Sequence, residues 1–236
     1  MRVAIMQPYF FPYLPYFHLI DAVDIFVVLD NVQFPKGGWV NRNKVLIQGK
    51  EAWVTVPTSS SGRSIREKSY IASPYFFRKF RATMLTEYSR APGLQKIFEI
   101  TDEWESLGER EVSRVNMFLI GKLLTELGGR RPKFLNISCL KLDPELRGQE
   151  RVVAAAKELA ASQYVNLPGG QTLYQAAAFE KEGIELKFVS SDFPPYPQQS
   201  SNFVPGLSVL DMALRSPEMF AAATRATHYK LISANV

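Results

Sequence analysis

The sequence predicts an α/β fold with a mainly parallel sheet flanked by helices, an antiparallel hairpin extension and a helical insertion. Apolar runs typical of buried strands alternate with helical segments near both ends of the chain. Between them lie two strand-like runs joined by a turn, and then two long stretches with helical periodicity. The 236 residues, 46% of them hydrophobic, suffice to bury a core. Because open α/β folds of this length are commonly single domains, we expect one domain over residues 1–236.

The N-terminal segment predicts a βαβ unit. An apolar strand at 3–6 stops at Gln7-Pro8, and a short helix over 16–23 precedes a second buried strand at 24–29, DIFVVL. Parallel strands joined by a right-handed crossover end at the same edge of the sheet, where open α/β folds bind ligands. That edge is expected to carry Gln7, Pro8, Tyr9, Asp30, Asn31 and Gln33.

The middle of the chain predicts the hairpin and the insertion. Two strand-like runs separated by a glycine-containing turn give an antiparallel hairpin over 44–57. Apolar residues at helical spacing then predict amphipathic helices over 74–88 and from Val112 to a C-terminal stop at Gly128-Gly129. We therefore expect a helical insertion over 74–129.

The second half returns to alternation, which again implies a mainly parallel sheet. The expected elements are strands at 134–140, 164–167 and 184–189 and helices at 149–161, 173–182 and 207–214. The proline-rich segment 194–197 cannot continue a central strand and is expected to be a loop. The helix after it is expected to be capped by Ser208 or Gly206.

Composition excludes several classes of protein. The single cysteine, Cys139, cannot form an intramolecular disulfide, and no paired cysteines or clustered histidines have the usual spacings for zinc, so we expect a reducing compartment and assign no set of metal-ligating residues. The N-terminal apolar run breaks at Pro8 before any cleavage site and fits a strand better than a signal peptide. No apolar run approaches the roughly 20 residues that span a bilayer. We expect a cytoplasmic protein without a membrane span.

The charge balance points to small anions. The chain has 28 Lys and Arg against 23 Asp and Glu, a net charge of +5, which favours phosphorylated or otherwise anionic small molecules and does not by itself indicate nucleic acid. Basic and aromatic residues concentrate between Lys36 and Arg81. That mixture suits a nucleotide, a sugar phosphate or a single strand, or is a solvated basic face beside ordinary aromatic packing.

Three local groups of residues are candidates for chemistry, in a chain without a G-x-S-x-G, Walker or G-x-G-x-x-G motif. The first joins 7–9, Gln-Pro-Tyr, to Asp30, where turn capping is the alternative. The second is WVNRN at 39–43, whose guanidinium between two carboxamides suits phosphate or carboxylate; an Asx turn before a strand is the alternative. The third is GGQT at 169–172, whose backbone N–H groups could hold an anion, although a plain loop explains it as well. His18, inside an apolar helix, is expected to be a satisfied, half-buried residue.

The motifs together resemble the WbqC-like family. The segments that carry the resemblance are, in order, QPYFFPYLPYF, DIFVVLDNVQF, WVNRNKV, WVTVP, GGQTLY, PPYPQ and FVPGLSVLD, from about Ile5 to about Leu214. The resemblance implies a cytoplasmic protein associated with bacterial surface polysaccharide, notably O-antigen and hence lipopolysaccharide, assembly. Where the family often has a histidine before the late proline, this chain has Phe193, so an acid or base role at that position is in doubt.

Family-like residues extend the list of candidate site residues. They are Gln7, Pro8, Tyr9, Pro12, Tyr16, Phe17, Asp30, Gln33, Asn41, Arg42, Asn43, Lys157, Tyr164, Gly170, Tyr174, Tyr196, Gln198, Ser208 and Asp211. From these we expect Asp30 and Lys157 to be catalytic, Asp30 as a base or metal ligand and Lys157 as a point charge for phosphate unless it is a plain surface lysine. The expected ligand-binding residues are Gln7, Tyr9, Asn41, Arg42, Asn43, Gly170, Tyr174, Gln198, Ser208 and Asp211.

The opening strand, loop, helix and strand also resemble the start of a HIGH-type nucleotidyltransferase. The match is partial, because Tyr13-Leu14-Pro15-Tyr16 stands where the two histidines of that motif would be. A similar fold with a different mechanism is therefore expected.

The leading functional hypothesis is a transferase of polysaccharide biosynthesis. It would act on a nucleotide-activated sugar or sugar intermediate, add an acyl or aminoacyl group or handle its activated donor, and use a nucleotide such as ATP or a nucleotide-sugar. The alternative is a non-catalytic scaffold or ligand-binding partner of polysaccharide-biosynthesis enzymes. Single-strand nucleic-acid binding through the basic aromatic stretch is a third, weaker hypothesis.

Overall fold

A computed structural model describes residues 1–127, 131–200, 202–223 and 228–234. Its strands are β1 Arg2–Met6, β2 Ile25–Val28, β3 Arg42–Ile47, β4 Lys50–Thr55, β5 Lys133–Asn136, β6 Gln163–Asn166, β7 Glu185–Ser191 and β8 Tyr229–Ser233. Its α-helices are α1 Leu14–Ala22, α2 Pro74–Tyr88, α3 Leu94–Leu107, α4 Val112–Leu127, α5 Gly148–Glu158, α6 Ala176–Glu180, α7 Val209–Arg215 and α8 Pro217–Ala222.

The main sheet has six strands in the order β5-β2-β1-β6-β7-β8. The five strands from β5 to β7 are parallel, and β8 pairs antiparallel with β7 at one edge. The chain therefore builds outward from β1 in one direction through β2 and β5, and in the other direction through β6 and β7. The strand order reverses between β1 and β6, which makes that point the topological switch of the sheet.

Helices cover both faces of this sheet. Side chains of β1 alternate between two hydrophobic clusters: Ala4 belongs to one and Val3 and Ile5 to the other. The larger cluster packs α1, α2, α3, α4, α7 and α8 against the sheet, and the smaller packs α5 and α6 against its other face. Burial on both faces is why β1 and β2 are short, continuous apolar runs. The predicted α/β fold with a mainly parallel sheet is confirmed.

The hairpin and the helical insertion are confirmed as well. Strands β3 and β4 pair antiparallel from Arg42↔Thr55 to Ile47↔Lys50 and form a separate two-stranded sheet. The turn residues Gln48 and Gly49 both have positive φ, 52° and 71°, as a two-residue hairpin turn matched to strand twist requires. Helices α2, α3 and α4 follow before β5; the predicted stop at 128–129 lies outside the described residues.

Several element boundaries differ from those expected. The strand expected over 134–140 ends at Asn136, because the side chain of Asn136 accepts a hydrogen bond from the Ser138 amide and caps a 3₁₀ turn. Helices α3 and α8 and strand β8 were not predicted. The cap of α7 is Ser208, whose hydroxyl accepts from the Leu210 amide. Across the described part of the chain, no helix combines the length and apolar character needed to cross a bilayer.

Candidate functional site

A cleft of about 560 Å³ lies at the switch point of the sheet. Gln7, which follows β1, and Asn166, the last residue of β6, both line it, so the cleft opens at the carboxyl ends of the two central strands. This is the crevice where open α/β sheets bind ligands. Its lining residues are Ile5, Met6, Gln7, Tyr9, Tyr13, Leu29, Trp39, Asn43, Asn166, Leu167, Gly169, Gly170, Leu173, Tyr174 and Gly206.

Tyrosines form much of the cleft wall. The ring of Tyr9 lies 5.5 Å from that of Tyr16, whose hydroxyl donates to the Gln7 carbonyl at 2.8 Å and so fixes the loop after β1. Burial raises the pKa of Tyr9, and burial followed by the influence of Tyr9 raises the pKa of Tyr13 to about 12. Both phenols are therefore neutral at physiological pH. Neither hydroxyl has a protein partner within the described ranges, which leaves both available to a ligand.

Amides supply the other polar surface. Asn43 is buried, and its amide donates to the carbonyls of Phe10 and Phe11 at 3.2 and 2.8 Å. Asn166 accepts from the Leu167 amide at 2.7 Å and donates to the hydroxyl of Tyr164 at 3.2 Å. These bonds fix both side chains. The side chain of Gln7 makes no hydrogen bond to another described residue and is free to bind a ligand.

A close-packed glycine shapes the part of the wall that carries Asn166 and Tyr174. Gly170 ends the 3₁₀ turn Pro168–Gly170 and is buried. A Cβ placed on it would lie 2.8 Å from Nδ2 of Asn166 and 3.3 Å from Cε2 of Tyr174. The backbone of Gly170 therefore approaches two lining side chains more closely than any other residue type would allow.

One of two stacked indoles lines the cleft, and Arg42, which is not itself a lining residue, stacks on the other. Trp39 lines the cleft, and its ring lies 5.1 Å from that of Trp53. The guanidinium of Arg42 stacks over Trp53 at 4.1 Å and donates to the carbonyls of Gly37 and Gly38. Because those carbonyls take only part of its five donors, Arg42 retains N–H groups for an anion. Asn41, its neighbour, donates instead to the Val56 carbonyl at 2.9 Å.

Asp30 lies outside this cleft. It lines a separate pocket of about 520 Å³ near the carboxyl ends of β2 and β5. One carboxylate oxygen accepts from Ser113 Oγ and Asn136 Nδ2, both at 2.8 Å. The other is buried without a hydrogen-bond partner among the described residues. The structure thus separates Asp30 from Gln7 and Tyr9, with which the sequence grouped it.

Lys157 lies near the amino ends of the strands, opposite to the carboxyl ends where the cleft opens. Its ammonium pairs with Glu182 at 2.6 Å, and its side chain is largely exposed. Lys157 precedes the start of β6 and Glu182 precedes the start of β7, so this ion pair sits at the amino ends of the strands. The position matches the surface-lysine alternative, and the structure does not bring Lys157 to the ligand edge.

The remaining candidate residues make internal contacts. Asp211 is fully buried and accepts from the hydroxyls of Tyr88 and Tyr196 at 2.7 and 2.8 Å, and from Arg215 at 3.0 Å. Gln198 exchanges two hydrogen bonds with the backbone of Val204. Neither lines the cleft.

Of the predicted ligand-binding residues, those that line the cleft are Gln7, Tyr9, Asn43, Gly170 and Tyr174. Sequence reasoning did not select Tyr13, Asn166 or Leu173 as ligand-binding residues. A usable signal existed for Asn166, since it ends a strand whose carboxyl edge faces the ligand side of a parallel sheet. Within the described chain, no group of three or more His, Cys, Asp or Glu residues is arranged to hold a metal ion.

The fold and the cleft together define an open α/β protein with a neutral, aromatic and amide-lined binding crevice at its switch point. The family is shown by comparison: the chain belongs to the WbqC-like protein family, whose model matches residues 7–219. It is also 28% identical over 227 residues to the uncharacterized protein Rv1507c of Mycobacterium tuberculosis (strain ATCC 25618 / H37Rv), covering 89% of this chain and 92% of that protein. No solved structure matches the chain significantly.

Proposed function

We propose that this protein is a transferase of bacterial surface-polysaccharide biosynthesis, notably of O-antigen, that binds a nucleotide-activated sugar in the switch-point cleft. Its reaction is the addition of an acyl or aminoacyl group to that sugar. The observation that carries the proposal is a neutral, aromatic and amide-lined cleft with a cationic group, Arg42, stacked on the indole pair whose Trp39 lines that cleft. The polysaccharide context is the one that the resemblance of the motifs to this family implies, and it is part of the proposal.

The interior suits the uncharged parts of such a ligand. Rings of Trp39 and the cleft tyrosines offer flat apolar surfaces for a base or a sugar face. The Gln7 amide and the hydroxyls of Tyr9 and Tyr13 are the unpaired polar groups that would orient it. Arg42 would receive the phosphates, because a guanidinium forks onto two phosphate oxygens in a way that an ammonium does not.

Catalysis would depend on positioning and on neutral donors. The described lining of the cleft contains no carboxylate, imidazole, ammonium or guanidinium group. Holding donor and acceptor in contact supplies a large part of the rate in group transfer. A neutral tyrosine hydroxyl can donate to the oxygen that gains charge when an acyl carbon is attacked. The raised pKa of Tyr13 keeps that proton in place.

The same absence of acid and base groups from the described lining favours a second candidate, a non-catalytic ligand-binding partner of polysaccharide-assembly enzymes. Both candidates require nucleotide-sugar binding in the cleft. They differ in whether the purified protein alone modifies the sugar, which mass spectrometry of the sugar after incubation with acyl and aminoacyl donors would reveal.

Calorimetric titration of UDP-sugars and dTDP-sugars tests the shared claim. Arg42→Lys should weaken binding of the nucleotide-sugar by about 1.5 to 3 kcal/mol, roughly 10-fold to 150-fold, since a charge-assisted bidentate contact is lost. Binding of the phosphate-free nucleoside should be unchanged. Arg78→Lys is the matched control, because Arg78 is exposed on α2 and lines no cleft surface.

Two results would contradict the proposal. One is the failure of every nucleotide and nucleotide-sugar to bind the wild-type protein. The other is an equal loss of nucleoside and nucleotide-sugar affinity in Arg42→Lys, which would mean that Arg42 acts by holding the loop at 37–38 and not by contacting phosphate.

A further inference from the structure

A second cavity, a groove of about 290 Å³, adjoins the switch-point cleft. The two share Tyr13 and Gly206 in their walls. The groove runs between the start of α1 and residues of the segments 191–196 and 203–209, the second of which leads into α7. A molecule in the groove and a molecule in the cleft would therefore meet at Tyr13 and Gly206.

The groove wall is mainly hydrocarbon. Among the residues that form it are Leu14, Phe193, Phe203, Val204, Leu207 and Met212. Two buried polar side chains of the wall are already hydrogen-bonded: Ser208 donates to the Phe11 carbonyl at 2.7 Å, and Tyr196 donates to Asp211 at 2.8 Å. The groove can therefore recognise an apolar chain and has little to offer a charged group.

Hydrogen bonds and ring packing fix part of the groove wall. The side chain of Gln198 and the backbone of Val204, a wall residue, exchange hydrogen bonds of 3.1 and 2.8 Å. The ring of Phe203 packs edge-on against Tyr196 at 5.6 Å, yet Phe203 is 44% exposed. Phe203 therefore leaves apolar surface exposed at the rim of the groove.

We infer that this groove binds the linear acyl chain of an acyl thioester, with the thioester carbonyl placed at Tyr13 and Gly206 beside the sugar in the cleft. The inference rests on the proposed transferase function, and it specifies that the transferred group is an acyl group and not an aminoacyl group. We assign the acyl donor to the groove because the groove is continuous with the cleft, and the two substrates of a transfer reaction must touch.

The reaction balances without a further reagent. A nitrogen of an amino sugar attacks the thioester carbonyl carbon, so that a C–N bond forms and the C–S bond breaks. The thiolate leaves and takes the proton released by the nitrogen. The Tyr13 hydroxyl donates a hydrogen bond to the carbonyl oxygen while that oxygen carries negative charge.

The test measures binding of N-acetylcysteamine thioesters of different chain length to the full chain by calorimetry. Affinity should rise about fourfold for each methylene added from acetyl to octanoyl, the factor that corresponds to about 0.8 kcal/mol per buried CH₂. Glycyl-N-acetylcysteamine, which carries an ammonium group, should bind more weakly than the butyryl compound.

Leu14→Asp is the groove variant. Leu14 is half-buried at the first position of α1, where an acidic residue interacts favourably with the helix dipole. Its carboxylate should abolish the dependence of affinity on chain length. Leu85→Asp is the matched control, because Leu85 is an exposed leucine of α2 outside both cavities. Phe203→Ala provides a second groove variant at an exposed position, with a smaller expected loss.

Affinity that is independent of chain length in the wild-type protein overturns the inference, as does tighter binding of the glycyl compound. Tighter binding of farnesyl phosphate than of the octanoyl thioester also overturns it, in favour of a lipid-linked sugar. Nucleotide-sugar binding is titrated separately in the same preparations. If it persists while chain-length dependence is missing, only the acyl-groove inference fails; if it is absent, the proposed function fails.

Discussion

Two adjacent glycines in the cleft wall provide a matched test of the site geometry. Gly169 and Gly170 belong to the same 3₁₀ turn, and both line the cleft. A Cβ on Gly169 would meet no atom within 4 Å, whereas a Cβ on Gly170 would lie 2.8 Å from Nδ2 and 3.1 Å from Cγ of Asn166. Alanine is therefore accommodated at one position and must displace a buried amide at the other.

The displaced Asn166 amide determines how strongly Gly170→Ala destabilises the fold. Asn166 is 4% exposed, and moving it breaks its bonds to the Leu167 amide and the Tyr164 hydroxyl. A buried polar group left unsatisfied costs about 1 to 3 kcal/mol, similar to the usual cost of overpacking. Gly170→Ala should lower the melting temperature by about 2 to 12 °C, at 2 to 4 °C per kcal/mol for a domain of this size. Gly169→Ala should raise the free energy of unfolding by about 0.4 to 1 kcal/mol, and with it the melting temperature slightly, because alanine lowers the entropy of the unfolded chain.

Differential scanning calorimetry of the two variants beside the wild type measures this difference, and circular dichroism checks that both are folded. Gly170→Ala should also weaken nucleotide-sugar binding about tenfold or more, because Asn166 and Tyr174 both line the cleft. Equal melting temperatures for the two variants would refute the close packing at Gly170 and with it the described shape of this wall.

Two further predictions concern buried polar groups. Asp211→Asn should destabilise the fold by about 3 to 5 kcal/mol, measured by urea titration. The reason is that the guanidinium of Arg215, whose side chain is only 8% exposed, loses its counter-charge. As a control, Glu51→Gln removes an exposed ion pair and should cost less than about 1 kcal/mol. Burial lowers the pKa of His18 below its ordinary value of 6.5 and outweighs the hydrogen bond from Nε2 to the Ala223 carbonyl, which favours the charged form. Protonation would place a second donor on Nδ1, which is buried without a hydrogen-bond partner among the described residues. As the pH falls, the unfolded chain therefore binds this proton before the folded protein does. The contribution of His18 to the free energy of unfolding should be complete above about pH 6.5 and decrease as the pH drops toward the lower pKa of the folded protein. His18→Gln should flatten this pH dependence between pH 7 and 5, and an unchanged slope would show that other groups produce it.

The sequence predicts the parallel sheet well because its strands are buried on both faces. Runs such as IFVV at Ile25–Val28 have no polar alternation that could be confused with a surface element. Strand β8 is an edge strand that pairs only with β7 and is partly exposed, so its sequence is not a continuous apolar run. The apolar spacing of α3, at Leu94, Ile97 and Trp104, is visible in the sequence and could have identified that helix.

The site is harder to predict because it depends on strand order. The carboxyl-edge rule correctly selects Gln7 and Tyr9, which line the cleft. It also groups them with Asp30, since β1 and β2 are adjacent. The switch point lies on the other side of β1, toward β6, a strand that the chain reaches more than 130 residues after β2. Alternation of helices and strands does not reveal on which side of β1 a later strand will add, so Asn166 stayed unassigned.

Two of the candidate residues, Asn43 in the cleft wall and Ser208 outside it, shape the loop at 7–13 that carries Gln7, Tyr9 and Tyr13. Asn43 and Ser208 both donate to the carbonyl of Phe11, a non-glycine residue held at a φ of 39°.

Such a backbone conformation costs of order 1 to 3 kcal/mol and persists only where its surroundings impose it. Removing either donor should let the loop relax and misplace the two tyrosine hydroxyls. Since a preorganised site binds more tightly than one that must be ordered by its ligand, Ser208 would affect affinity without lining the cleft, and Asn43 would do so in addition to any contact of its own. A polar residue in a recurring motif is thus as informative about the shape of a binding loop as about direct contact.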